Sequence, residues 1–474
     1  MDQSSRERPP TRVAAVMSSL KARMESRALA PGARLPSVRA LAAAMAVSKS
    51  TVVEAYERLV AAGDVSARRG AGFFVAGPTR PLALALAAEP REPVAEWLRS
   101  HCASLEADPD AIHPGSGWLP ESWMPEVGVQ RALRELARDQ AFRRTHYDSP
   151  IGYAPLRRQL AVRLGERGVV ASPDQIVLTD STTHAIDLAL RFLVQPGDSV
   201  AVDDPSYFRL LPLLKAHRVK VVAAPMTPDG PDVEALAQAF ATHAPRLYLT
   251  IAAIHNPTGA ALSPATAHRV LKLAERHAVI VVEDEIFADF EPAPAGTRLA
   301  AFDGLERVIQ VGGYSKTISA ALRVGYLALR PEWVDPVVDL KLATSLTSGH
   351  FAAAFLHRML TEAGYRRHIN ALRARLADAM GRTLARLKAA GLTPWIEPRA
   401  GMFVWARLPD GLDATAVARR GRAEGVSLAP GPVFSASPVA SAYLRFNAAA
   451  SVNPRGFEAL ERAMAAARRE PAAP

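Results

Sequence analysis

The sequence predicts an α/β protein in which a small, basic, mainly helical module precedes a large domain built around a mixed, mostly parallel sheet. The first 80 residues carry 13 Lys/Arg against 6 Asp/Glu, whereas the rest is nearly balanced at 44 against 41. From about residue 112 onward, short apolar runs alternate with longer amphipathic helical patterns. This alternation is typical of a sheet covered by helices on both faces.

The composition favours a globular protein without disulfides, metal clusters or membrane spans. The 474 residues are 49% hydrophobic, which is enough to fill a large core over two or three domains. The single cysteine, Cys102, excludes an intramolecular disulfide and a Cys-cluster metal site, which favours a reducing compartment. The N-terminus MDQSSRERPP is polar, and no uncharged apolar stretch reaches about 18 residues. We therefore predict a cytoplasmic protein with no metal site.

The basic module begins with three helical patterns. Apolar residues recur at spacings of three and four over residues 11–28, which predicts the first helix. Ser37 can cap a second short helix, and Ser48 or Ser50 can cap a third that ends near Ala62. Two short helices joined by a tight turn predict a helix-turn-helix.

The run DVSARRGAGFFVA follows the third helix and predicts a hairpin with a basic tip, which suits phosphates or a minor groove. The stretch GARLPSVRALAAAMAVSKSTVVEAYERLVAAGDVSARRGAGFFVA resembles the winged helix-turn-helix of GntR regulators over nearly its whole length. The resemblance implies binding to double-stranded promoter DNA through Arg39, Ser48, Lys49, Ser50, Thr51, Arg68 and Arg69. The alternative is a helical docking domain in which Arg39 only pairs with a neighbouring carboxylate.

A segment rich in Pro, Ala and Glu follows the hairpin and lacks a sustained amphipathic period. We predict a DNA-binding domain at 8–77, a linker at 78–111 and a large domain at 112–468. The pattern over 94–105 is compatible with a short helix inside the linker. A linker of this length would let the basic module reach a partner subunit.

Ligands of such sheets bind at the strand ends, where this sequence places polar residues. The strand IVLTD is followed by Ser181, Thr182 and Thr183 at the start of a helix. Hydroxyls and free amides there can bind a phosphate, although Ser and Thr are also ordinary helix caps. Tyr207 follows the next strand, where it could stack on a flat ring or simply pack.

Further strand ends carry an amide, a set of acids and a lysine. Asn256 could donate to a phenolate oxygen, although the run NPTG also reads as a plain turn. The strand VIVVEDE ends in three acids that include Asp284, and a buried carboxylate needs a cationic partner. Lys316 follows Ser315 after the strand RVIQVGG, and a fixed lysine can hold an aldehyde cofactor. Arg323 is a cation for a phosphate, and Arg445 on a later strand can clamp a carboxylate.

In order and spacing these motifs resemble the fold type I, class I aminotransferase-like domain over roughly residues 112–468. The resemblance implies a smaller C-terminal α+β subdomain and pyridoxal 5'-phosphate bound as a Schiff base to Lys316. It assigns the phosphate to Ser181, Thr182, Thr183 and Arg323, and the ring to Tyr207, Asn256 and Asp284. It assigns a substrate or effector carboxylate to Arg445. Ser315 is a further expected cofactor-binding residue.

Three positions depart from the family pattern. A tyrosine is usual three residues after the aspartate, where this chain has Phe287. A serine is frequent three residues before the lysine, where this chain has Gly313. His184 stands where a small residue is common, either as a ligand contact or as a helix-start residue.

The fusion of these two domains resembles the layout of MocR-type regulators. The resemblance implies a homodimeric transcription factor, with winged helices that can cross to the partner subunit and with an amino compound as effector. One alternative is an active aminotransferase whose winged helix is autoregulatory. A third reading is a DNA-binding protein whose large domain holds no cofactor.

Overall fold

The computed structural model describes residues 11–25, 28–29, 32–68, 72–76, 112–138, 147–292, 296–409, 411–435 and 437–469. These fall in two compact units, Met1–Pro90 and Arg91–Pro474. The predicted linker over 78–111, with the short helix considered at 94–105, lies outside the described residues, as do Arg69 and Cys102. The domain boundaries at 77 and 112 therefore remain predictions.

The N-terminal unit is a winged helix-turn-helix. Its elements are α1 (Arg12–Glu25), α2 (Val38–Ala44), α3 (Lys49–Ala61), β1 (Val65–Arg68) and β2 (Gly72–Val75). Ser37 caps α2 by accepting from the amide of Ala40 at 3.2 Å. Ser48 caps α3 by accepting from the amide of Thr51 at 3.1 Å. Side-chain caps of this kind satisfy amides that a helix start leaves free, so both helices begin where the sequence predicts.

A small apolar core holds this unit together. The apolar face of α1 packs on α2 and α3 around Leu20 and Tyr56, both fully buried. The Tyr56 hydroxyl donates to the carbonyl of Pro36 at 2.7 Å, which fixes α3 against the residues before α2. β1 and β2 pair antiparallel with Arg68 opposite Gly72, so Arg68 lies at the tip of the wing.

The larger unit is built on an eight-stranded sheet with the order β3-β10-β9-β8-β7-β4-β5-β6. Its strands are β3 (Ile176–Thr179), β4 (Ser199–Asp204), β5 (Lys220–Thr227), β6 (Gly230–Pro231), β7 (Leu247–Thr250), β8 (Ile280–Asp284), β9 (Val308–Gly313) and β10 (Gly325–Ala328). The strands β4, β5, β7, β8 and β9 run parallel. β10 is antiparallel to β3 and β9, and β6 is antiparallel to β5. The prediction of a mixed, mostly parallel sheet is confirmed.

Helices cover this sheet on both faces. They are α4 (Glu126–Arg138), α5 (Ala154–Gly165), α6 (Thr182–Leu193), α7 (Leu210–Ala216), α8 (Val233–His243), α9 (Pro264–Arg276), α10 (Leu299–Asp303), α11 (Pro331–Ser345), α12 (His350–Thr361) and α13 (Ala363–Ala389). Successive residues of a strand enter opposite cores, as Val281 and Val282 of β8 do. Both faces are buried, which explains why the strands read as continuous apolar runs.

The C-terminal part forms the smaller α+β subdomain that the sequence predicts. Its four-stranded antiparallel sheet has the order β11-β12-β14-β13. The elements are β11 (Thr393–Pro394), β12 (Phe403–Arg407), α14 (Ala414–Ala423), β13 (Ala429–Pro430), β14 (Tyr443–Asn447) and α15 (Pro454–Ala467). Within the described part of the chain, no helix combines the length and the apolar character needed to cross a membrane.

Candidate ligand cavity and DNA-binding surface

A cavity of about 190 Å³ opens at the carboxyl ends of the central strands. Parallel strands place their carboxyl ends at one edge, so residues far apart in sequence meet there. Every residue that the sequence assigned to a cofactor or an effector lines this cavity: Ser181, Thr182, Thr183, Tyr207, Asn256, Asp284, Ser315, Lys316, Arg323 and Arg445.

The start of α6 forms one end of the cavity. Ser181 caps α6 by accepting from the amide of His184 at 3.0 Å. The Thr182 hydroxyl is buried and has no hydrogen-bond partner among the described residues. An unsatisfied buried hydroxyl at a helix N-terminus is a suitable donor for an anionic ligand. Arg323 lines the same cavity from an exposed position with a left-handed φ of 54°.

Gly313 lies beside this helix start, and the space around it explains the missing serine. A Cβ at this position would lie 2.9 Å from the Thr182 hydroxyl and 3.0 Å from the carbonyl of Val324. The Thr182 side chain therefore takes the space that a serine at 313 would need. The Thr182 hydroxyl of α6 therefore lies close to where the family pattern has a serine hydroxyl at position 313.

The three acids at the end of β8 serve three different partners. Glu283 accepts from the amides of Leu299 and Ala300 at 2.7 and 3.0 Å. Glu285 pairs with Arg298, whose Nε lies 2.8 Å from its carboxylate. Only Asp284 lines the cavity.

Asp284 is a buried carboxylate, 7% exposed. Burial raises its pKa to about 7, although the amide of Ile286 donates to it at 3.0 Å and opposes the shift. The nearby charge of Glu285 also raises this pKa, whereas Lys316 lowers it. A cation placed in the cavity would therefore be strongly favoured beside Asp284.

Lys316 follows β9, and its amine lies inside the cavity. Nζ donates to the carbonyl of Gly117 at 2.7 Å and lies 5.6 Å from the ring centroid of Trp118. Burial lowers the pKa of Lys316 to about 7, with the charges of Arg445 and Arg209 acting in the same direction and Asp284 opposing them. A substantial share of the amine is therefore neutral at pH 7 and able to act as a nucleophile.

Arg445 lies in the middle of β14 and is fully buried. Its Nη1 donates to Asn256 Oδ1 at 2.9 Å, and its Nη2 donates to the carbonyl of Gly115 at 2.7 Å. The guanidinium lies between the rings of Phe403 and Phe434, at 4.3 and 4.7 Å from their centroids. Burial lowers its pKa to about 9, so it remains charged at pH 7. Its Nε has no hydrogen-bond partner in the described part of the chain.

Sequence reasoning missed two contributors to the cavity. Arg209 lines it as a further cation two residues after Tyr207, and that spacing was the only signal for it. The 112–118 segment, which directly follows the predicted linker, supplies Gly117 and Trp118 to the lining. The sequence HPGSGW shows no motif of its own, because these residues contribute mainly backbone carbonyls.

The two remaining departures have clear positions. Phe287 is 3% exposed, lines the cavity and packs edge-on against Phe403 with ring centroids 5.4 Å apart. Phenylalanine has no hydroxyl, so position 287 itself supplies no hydrogen bond where the family pattern has a tyrosine. His184 accepts at Nδ1 from the amide of Asp180 at 3.3 Å and is absent from the described cavity lining, which favours its reading as a helix-start residue.

The predicted DNA-binding residues lie on one unit and are mostly exposed. Lys49 and Ser50 project from the N-terminal end of α3, Thr51 is half-buried, and Arg39 is exposed on α2. The Ser48 hydroxyl lies 2.8 Å from that of Ser50.

The contacts of Arg39 test the docking-domain alternative, and those of Arg68 describe the tip of the wing. Among the described residues no carboxylate forms an ion pair with Arg39, which weakens the docking-domain alternative. Arg68 lies over the ring of Phe74 at 4.5 Å to the centroid. Arg69 lies outside the described residues.

Two family models match the chain. The model "Aminotransferase class I and II" matches residues 122–463. The model "Bacterial regulatory proteins, gntR family" matches residues 12–75.

The curated relatives of this chain include both transcriptional regulators and aminotransferases. The HTH-type transcriptional regulator YjiR of Escherichia coli is 29% identical over 95% of this chain and 97% of its own length. The 2-aminoadipate transaminase of Thermus thermophilus is 30% identical over 67% of this chain and 80% of its own length. Among solved structures, the kynurenine aminotransferase of Pyrococcus horikoshii, solved in complex with PMP, is 25% identical with a TM-score of 0.73. That match covers 81% of this chain and 96% of the other.

Proposed function

Because the chain belongs to the aminotransferase class I and II family and is a MocR-type transcriptional regulator with a GntR winged helix, we propose that pyridoxal phosphate at Lys316 is its sensor. In this proposal, cofactor and effector in the cavity control binding of the winged helices to promoter DNA. One observation carries the proposal: Lys316 and Asp284, with pKa values both moved to about 7, line one cavity with a helix N-terminus.

The described residues fit this cofactor. The amides and hydroxyls of Ser181, Thr182 and Thr183, with Arg323, would hold the phosphate, and the unsatisfied Thr182 hydroxyl supports this assignment. Asp284 would hold the pyridine nitrogen, and Tyr207 would stack on the ring. When bound, pyridoxal phosphate supplies an aldehyde that condenses with amines and a ring that stabilises negative charge.

The protein's own groups define the effector that we propose. Lys316, Arg209, Arg323 and Arg445 give the lining four basic groups against the single carboxylate of Asp284. The buried guanidinium of Arg445 has a free Nε and would bind a carboxylate through two parallel hydrogen bonds. The effector class is therefore an amino compound that carries a carboxylate.

The 112–118 segment lies between the cavity residues and the predicted linker in sequence, so a ligand that changes its hydrogen bonds can affect the linker. Both key cations donate to its carbonyls, Lys316 to Gly117 at 2.7 Å and Arg445 to Gly115 at 2.7 Å. A lysine whose amine is taken up by a ligand can no longer donate to Gly117. Nη2 of Arg445 carries a second hydrogen, so its bond to Gly115 can persist when a carboxylate binds. The segment would still be held by its backbone bonds to Ser427 and by Asn447, which donates to the carbonyl of Trp118 at 2.6 Å. We propose that this change at the end of the linker shifts the population of DNA-binding arrangements.

We further propose that the regulator acts as a homodimer whose winged helices can cross between subunits. Two winged helices held at a fixed spacing would contact two half-sites of an operator. Analytical ultracentrifugation of the full chain, alone and with DNA, tests this part separately. A monomer on a single half-site would overturn it.

An active aminotransferase is the second candidate function, because the cavity contains every residue assigned to the chemistry except the ring-oxygen tyrosine. Phe287 stands at that place and removes one hydrogen bond, worth roughly 0.5 to 1.5 kcal/mol net. Multiple-turnover transamination with a panel of amino acids and oxo acids separates the two functions. Ordinary enzyme rates on one pair would make catalysis the main activity.

The cofactor assignment is tested by absorbance and DNA binding on the same samples. The wild-type chain with pyridoxal phosphate should give a band near the visible edge, and Lys316→Ala should lose it completely. Lys341→Met is the matched control, because Lys341 is also buried but donates to Pro150 and lies outside the described cavity lining. DNA upstream of the protein's own gene is then titrated with and without pyridoxal phosphate and candidate amines. Equal affinity under all conditions would contradict the sensor role.

A further inference from the structure

A second cleft, with a volume of about 280 Å³, has four arginines among its described lining residues. It lies between α5, the turn Ala288–Phe290 and the first half of α13. We call it the arginine cleft; its cations are Arg163, Arg167, Arg366 and Arg373. Of the described residues that line it, none also lines the cofactor cavity.

Two of the three acids in the arginine cleft pair with arginines other than Arg163, Arg167 and Arg373. Glu166 accepts from Arg366 at 2.6 Å. Glu291 accepts from Arg298, a fully buried arginine outside the described cleft lining. Asp289 is therefore the acid of the described cleft lining that pairs directly with Arg163 and Arg167. Glu291 shares Arg298 with Glu285 and adds negative charge nearby.

Asp289 is shared between two arginines of the cleft. Its Oδ1 accepts from Arg163 Nη2 at 2.7 Å and also from Arg167. Arg373 donates through Nε only to the backbone carbonyl of Asp289, at 2.9 Å. Among the described residues no carboxylate lies within ion-pair distance of Arg373.

The excess positive charge is poorly screened by water. The side chains of Arg163 and Arg167 are only 11% and 14% exposed. Burial lowers the pKa of Arg373; the charge of Asp289 opposes this shift and the charge of Arg167 adds to it. Cations held this way are stabilised when an anion joins them.

We propose that the arginine cleft binds a small phosphate-class oxyanion, either inorganic phosphate or a small phosphate monoester, with Arg373 and Arg167 as its main donors. Guanidinium groups match phosphate oxygens with pairs of parallel hydrogen bonds. The cleft volume is near the lower end of the range for small-molecule sites, which fits a ligand of this size. The proposal goes beyond the function proposed above and does not depend on it.

The position of the arginine cleft couples it to Lys316. Arg163 Nε donates to the Tyr314 hydroxyl at 3.1 Å. The Tyr365 hydroxyl contacts both Asp289 and the hydroxyl of Thr317, the latter at 3.1 Å. Tyr314 and Thr317 lie on either side of Lys316 in sequence. An anion that draws arginines away from Asp289 therefore changes the contacts of the loop that carries the lysine.

Calorimetric titration of the full chain tests the site. The chain is first loaded with pyridoxal phosphate and the unbound excess is removed, so that the cofactor's phosphate position is filled and no free monoester competes. Ionic strength is fixed with sodium chloride. Inorganic phosphate and glycerol phosphate are titrated separately. We expect saturable binding of one anion per chain. Tighter binding of glycerol phosphate identifies an esterified ligand, and equal binding identifies free phosphate. No saturable binding of either would overturn the proposal and leave Asp289 as a structural ion-pair centre.

Two variants on α13 locate the binding. Arg373→Gln should weaken phosphate binding by about tenfold or more, because it removes the cation without a carboxylate partner. Arg382→Gln is the matched control: Arg382 is exposed and pairs with Asp378 four residues earlier, so binding should not change. Both variants retain the cofactor cavity, so a failure of cofactor binding cannot imitate the difference between them. Equal affinity in both would contradict the assignment.

Chemical labelling of the wild-type chain covers the case in which Arg373→Gln does not fold. Phenylglyoxal modifies arginine side chains, and peptide mapping reports each site. Phosphate should protect Arg373 and Arg167 while Arg382 is labelled as before. The same degree of labelling at Arg373 with and without phosphate would show that no anion binds in the arginine cleft.

Discussion

The winged helix and the ligand cavity place their functional residues in opposite environments. Lys49, Ser50 and Arg39 are exposed, and short local caps position α3. Asp284 and Arg445 are buried and come from strands about 160 residues apart in the sequence. Water and salt screen an exposed charge, whereas burial makes a charge costly. Single substitutions in the cavity should therefore change ligand binding strongly. Single substitutions on the winged helix should change DNA binding by small, salt-dependent amounts.

The largest effect is expected at Arg445. Arg445→Gln should weaken binding of the carboxylate effector on the order of 100-fold, since it removes a buried charged donor pair. The measurement is the amine concentration that half-saturates the change in cofactor absorbance. Arg445→Lys should recover only part of the affinity, because a lysine cannot form two parallel hydrogen bonds. Equal half-saturation in wild type and Arg445→Gln would exclude Arg445 from effector binding.

The next effect is a displaced pH dependence. Pyridoxal phosphate should attach to the cofactor-free chain with a rate that rises with pH and has a midpoint near 7, not near the ordinary lysine value of 10.5. The sign follows from the neutral amine being the nucleophile. Asp284→Asn should move the midpoint below 7, since Asp284 raises the pKa of Lys316. Stopped-flow absorbance from pH 5 to 10 measures both; a wild-type midpoint near 10 would disprove the buried-amine description.

The same pKa values affect stability. Between pH 7 and 10.5 the unfolded chain binds the extra proton at Lys316, so this residue makes the unfolding free energy rise with pH. Between pH 3.8 and 7 the folded chain binds the extra proton at Asp284, so this residue makes the unfolding free energy fall with pH. Urea titrations of wild type, Lys316→Met and Asp284→Asn should separate the two slopes.

A smaller effect is expected on the winged helix. Arg39→Ala should reduce the slope of log affinity against log salt by about one, if Arg39 contacts a phosphate, and the same is expected of Arg69→Ala. Arg58→Ala is the control, because Arg58 lies near the end of α3 and pairs with Glu54 at 2.7 Å. Fluorescence anisotropy at four salt concentrations gives the slope. A slope unchanged in Arg39→Ala would remove this residue from the DNA contacts.

The smallest effect is expected at Phe287. Phe287→Tyr should restore one hydrogen bond to the ring oxygen and shift the pH titration of the cofactor absorbance by about one unit or less. Phe290→Tyr is the control, because Phe290 is equally buried but absent from the described cavity lining. Identical titrations for Phe287→Tyr and wild type would show that position 287 does not contact the ring.

Much of this molecule could be predicted from local sequence. Ser37 and Ser48 mark helix starts because capping depends on residues three positions apart. The strands of the large domain read as apolar runs because both of their faces are buried. Lys316 and Asp284 were recognisable because each follows such a run, and the ends of parallel strands meet at one edge.

Other features depended on contacts that no local pattern reports. The family resemblance singled out Asp284, but no local pattern reported the roles of Glu283 and Glu285, because their partners Leu299 and Arg298 lie on a later segment. Gly313 reads as a lost donor until the Thr182 hydroxyl is found in the same space. Arg209 and the carbonyls of Gly115 and Gly117 carry no motif.

By itself, the sequence determined the two domains, their order and the residue types of the cavity, because periodicity, capping and strand-end position are short-range properties. Only the tertiary structure decided which partners Glu283 and Glu285 take, which carbonyls accept from Lys316 and Arg445, and where several arginines surround one shared carboxylate. These outcomes depend on burial and on distances between segments up to about 330 residues apart, and burial is what moves the pKa values of Lys316 and Asp284 to about 7.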